Sequence, residues 1–76
     1  MAPNNMIKVV DVWEVSDTEC RVYIEDGDSA SRFELYYKIG PEAFYNKEGK
    51  TVAWQYLVPS KIAKMLARLN KVEVTE

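Results

Sequence analysis

Seventy-six residues allow one domain, and 47% hydrophobic with 29% charged side chains is the composition of a folded chain, not a disordered one. A net charge of −2 argues against a strongly basic binder of long duplex DNA, and the absence of histidine excludes Ser-His and Cys-His nucleophile pairs. One cysteine with no histidine makes zinc improbable, and an unpaired Cys20 fits a reducing, cytoplasmic setting better than a secreted one.

The opening MAPNN has neither a basic patch nor an apolar run, so it is read as a flexible tail over residues 1–5 and not as a signal peptide. Residues 6–76 then form the domain. Ile7–Val15, IKVVDVWEV, is rich in β-branched residues and reads as one continuous first strand. Trp13, its largest apolar side chain, is expected to point inward. Asp11 is then an acid on an apolar face. It sits beside a basic group at an open end of the sheet, lines a contact, or points outward because the faces are reversed.

Cys20–Glu25 alternates, with Cys20, Val22 and Ile24 on one side and Arg21, Tyr23 and Glu25 on the other. Asp26-Gly27-Asp28-Ser29 reads as a turn. Arg32–Ile39 shows the clearest alternation, Phe33, Leu35, Tyr37 and Ile39 against Arg32, Glu34, Tyr36 and Lys38, and predicts a third strand hairpinned to the second. Gly40-Pro41 stops it. Pro41–Tyr45 is either a helical turn or an extended arm, and Gly49 suits a left-handed turn position before a fourth strand over Thr51–Tyr56.

Pro59–Lys71, PSKIAKMLARLNK, is the one segment with helical spacing. Ile62, Met65, Leu66 and Leu69 fall within an arc of about 100° and are expected to face the sheet. Ala63 and Ala67 take the flank, Asn70 ends the helix, and Val72–Val74 adds a short edge strand. The fold class is therefore α+β: an antiparallel sheet of four or five strands in the order β-β-β-β-α, open or curled, under one C-terminal amphipathic helix.

Charge is unevenly spread. Residues 60–71 hold four bases and no acid, whereas residues 1–59 hold ten acids and six bases. Lys61, Lys64, Arg68 and Lys71 make a cationic stripe that either stays solvated or meets an acidic surface. Lys61 and Lys64 near the helix start oppose the helix dipole, which stability alone does not favour. Arg21, Tyr23, Arg32, Tyr36 and Lys38 are expected on the sheet face opposite the core, as a second contact surface. Tyrosines there either stabilise the sheet as cross-strand pairs, form a protein interface or, with less support here, stack bases of a single strand.

The residues therefore point to a non-enzymatic interaction or regulatory module. The expected partner is another protein or a second copy, with single-stranded nucleic acid or a structural role in an assembly as alternatives. No cofactor, metal or membrane is expected. The run Glu25-Asp26-Gly27-Asp28 lacks the spacing of a calcium loop.

Overall fold

The computed structural model describes residues 7–76, so the expectation of a tail over residues 1–5 lies outside the described residues. The elements run β1 (Asp11–Glu14), β2 (Glu19–Ile24), α1 (Gly27–Tyr37), β3 (Ala43–Lys47), β4 (Lys50–Pro59), α2 (Ser60–Asn70) and β5 (Val74–Thr75). The sheet is ordered β3-β4-β2-β1-β5. It is mixed, because β5 lies parallel to β1 while the other neighbours are antiparallel. An α+β domain stands, but with two helices on the sheet instead of one.

The second helix replaces the expected third strand. Asp26, read as a turn residue, is an N-cap: its Oδ2 accepts from the Ser29 amide at 3.0 Å and from the Ser29 hydroxyl at 2.8 Å. Phe33 and Tyr37 are two alternate steps apart in a strand, yet one turn apart in a helix, so they satisfy both periods. The helix uses the second. Phe33 is fully buried and Tyr37 packs on the core, whereas Leu35 and Tyr36 are 74% and 76% exposed. Lys38, at φ 61°, closes α1 by donating its amide to the Glu34 carbonyl.

The Ser29 hydroxyl and amide hold the Asp26 carboxyl below its ordinary value of 3.8. A carboxyl depressed in the folded state contributes stability above its unfolded value and loses it as pH falls through the folded one. Asp26→Ala should therefore lower the denaturation midpoint more at pH 7 than at pH 3. Equal losses at the two pH values would refute the cap.

The core lies between the sheet and the helix layer. Cys20, Val22 and Ile24 point into it as expected, joined by Val12, Tyr56 and Val58 from the flanking strands. Phe33 lies 4.4 Å from the Tyr56 ring, centroid to centroid, and the Tyr56 hydroxyl donates to Glu34 Oε2 at 2.6 Å. Burial, with the Glu34 carboxylate beside it, pushes the Tyr56 phenol far above its usual range. The Cys20 thiol is fully buried and donates to Ser60 Oγ at 3.6 Å.

The first strand is shorter than its sequence suggests, and its faces are reversed. Val12 is fully buried, so Trp13 projects half-buried from the helix-free side and Asp11 points outward. Asp11 Oδ1 accepts the Val12 amide at 3.0 Å. Residues 7–9 lie outside the ladder and run between the helices. Lys8 donates its amide to Ser29 Oγ of α1 at 2.8 Å. Asn70 of α2 accepts from the Val9 amide at 3.0 Å and donates to the carbonyls of Ile7 and Leu66, each at 2.9 Å. Ile7 and Val9 are buried, and Val10 and then Asp11, the first residue of β1, step outward.

Candidate interaction surfaces

Helix α2 begins where the sheet ends. Pro59 caps it at φ −58° and ψ 142°, and Ser60 donates its amide to the Thr18 carbonyl at 2.9 Å, tying the helix start to the β1–β2 turn. Lys71, at φ 56°, closes it, and the Lys71 and Val72 amides return to carbonyls of the last turn.

Its orientation corrects the sequence reading. Ala63 and Ala67 are the residues pressed against the sheet, with Leu66 beside them. Of the expected apolar stripe, Leu66 alone is buried and Ile62 is half-buried. Met65 is 39% and Leu69 59% exposed. Ile7 and Val9 share the core cluster with Ala63, Leu66 and Ala67, and Asn70 turns inward to hold that segment.

The outer side of α2 is therefore both apolar and cationic. Lys61, Lys64, Arg68 and Lys71 are all exposed, as expected of a wet stripe. Lys64 Nζ lies 3.5 Å from Glu14 Oε2. No carboxylate among the described residues is within ion-pairing distance of Lys61, Arg68 or Lys71. On the helix surface, Met65 and Leu69 flank these cations.

The expected sheet-face set is divided. Arg21 and Tyr23 do project from the side of β2 that neither helix covers. Arg32 and Tyr36 lie instead on α1, and Lys38 is its C-cap. Other residues join Tyr23 on this side. Tyr45 of β3 meets its ring edge-on at 5.7 Å, and Trp13 and Leu57 stand in register with Arg21. Arg21 pairs with Glu42, which also accepts from the Gln55 amide at 2.7 Å. Those two donors, Gln55 above all, hold the Glu42 carboxyl below its ordinary range. The cationic charge on this face is thus neutralised at its source, which disfavours phosphate there.

Among the described residues no group of three or more His, Cys, Asp or Glu side chains is placed to hold a metal ion, and no helix is long and apolar enough to cross a membrane. A shallow depression lined by Glu14, Val15, Ser16, Asp17 and Glu76 contains three acids and no base. No family model, curated protein or solved structure matches the chain, so its functional reading rests on the surfaces just described.

Proposed function

We propose that the protein is a non-enzymatic interaction module whose docking face is the outer side of α2. Its partner is a protein segment that carries acids beside apolar side chains. The carrying observation is the placement of Met65 and Leu69, exposed next to four cations while two alanines face the sheet. Apolar side chains on such a surface gain from burial, and the aliphatic stems of lysine and arginine extend the area they offer. The cations speed encounter and select the sign of the partner.

A helical peptide bearing Glu and Leu on one face tests this by fluorescence anisotropy, beside the same peptide with Lys for Glu and a single-stranded oligonucleotide. The acidic peptide should bind, more weakly as salt rises. Lys61→Glu/Arg68→Glu should weaken it about tenfold or more, equivalent to at least ~1.4 kcal/mol. Leu69→Ser should weaken it without changing the salt dependence. Tighter binding of the oligonucleotide, or indifference to charge reversal, would overturn the reading in favour of the nucleic-acid or purely structural alternative.

A further inference from the structure

Residues 7–9 occupy the space between the helices as a bound peptide would. Ile7 and Val9 are 8% and 6% exposed, and they sink into the core cluster with Phe33, Leu66 and Ala67. Their backbone is held by side chains, not by a neighbouring strand. Asn70 accepts one amide and donates to one carbonyl of the segment, while Ser29, itself fully buried and bonded to Asp26, takes the Lys8 amide. This is a built seat for an extended Ile-x-Val segment.

The connection to β1 is the unusual part. The sequence IKVVDVWEV has the β-branched content of one continuous strand, yet the fold breaks it. Val9 and Val12 both face inward, so the two residues between them, Val10 and Asp11, must both face out. Val10 is 49% exposed, and its amide bonds to the Tyr23 carbonyl at 2.9 Å. Val10 and Asp11 both lie opposite Tyr23, a bulge beyond which residues 7–9 leave the ladder.

We propose that residues 7–9 exchange reciprocally between two copies of the chain, each inserting its Ile7-Lys8-Val9 into the seat formed by Ser29 and Asn70 of the other. A second copy is the occupant because the seat is seen filled by this sequence. Exchange conserves every contact of the segment. The intramolecular segment has the advantage of a high effective concentration, so the dimer fraction rises with protein concentration. The outer face of α2 takes no part, and the two readings stand or fall separately.

The test mixes two full-length variants. Val9→Asp spoils the segment but leaves the seat, and Asn70→Ala spoils the seat but leaves the segment. Alone, each should be destabilised. Mixed, unfolded together and refolded, they should form a 1:1 dimer of twice the chain mass by sedimentation. The Val9→Asp chain should regain most of its lost denaturation midpoint, or its circular dichroism if it was unfolded alone. Val9→Ala, a milder change, gives the same reading from a folded starting point. Mixtures that behave as the sum of their separate components, folded or unfolded, would overturn the proposal.

Discussion

Asn70→Ala is expected to destabilise the fold by roughly 2–6 kcal/mol, because the Val9 amide and the Ile7 carbonyl both lose their partner, at about 1–3 kcal/mol for each buried group left unpaired. Domains of this size have a net stability of only ~5–15 kcal/mol. The substitution therefore shifts a large part of the margin from one surface-adjacent side chain. Asn70→Asp should rescue little of it. A carboxylate can still accept the Val9 amide, but it faces the carbonyls of Ile7 and Leu66, where the native amide donates. Urea denaturation gives the loss, and hydrogen exchange at Val9 locates it. A midpoint shift within the scatter of surface substitutions would show that the segment is not held by Asn70.

Phe33→Ala should cost about 3–5 kcal/mol, the usual range for deleting a buried phenylalanine. Leu35→Ala, two positions away, should stay within about 0.5 kcal/mol. The pair is informative because a strand would place both side chains on one face and charge similar amounts for each. The helix buries Phe33 between Tyr37 and Tyr56 and leaves Leu35 in solvent. Comparable losses at the two sites would contradict α1.

These two regions also show how far the sequence could be read. The inward set on β2, the turn glycine at φ 81° and the C-terminal helix rest on local signals and were legible. The β3 arm is one of two readings that the sequence leaves open, and the edge strand falls at Val74–Thr75, later than Val72–Val74. Helix α1 was not legible, since its apolar residues fit two periods and its cap resembles a turn. The signal that could have found it was Asp26 followed by Ser29 and Ala30, a capping pattern ahead of Phe33. The facing of α2 was illegible for a different reason. An apolar arc normally meets the sheet, but here Asn70 of the helix is tied to Ile7 and Val9, more than fifty residues earlier in the chain. No local pattern records such a tie. The cationic stripe survived the rotation, whereas the sheet-face set did not, because three of its five members belong to α1 or its cap.

The two ends of the described chain meet. Asn70 reaches Ile7 across 63 positions of sequence, and β5 lies alongside β1. Loops that long close late, after shorter-range pairings have formed. A growing polypeptide must therefore leave residues 7–9 and the outer edge of β1 without their partners until residues 70–75 have emerged to meet them.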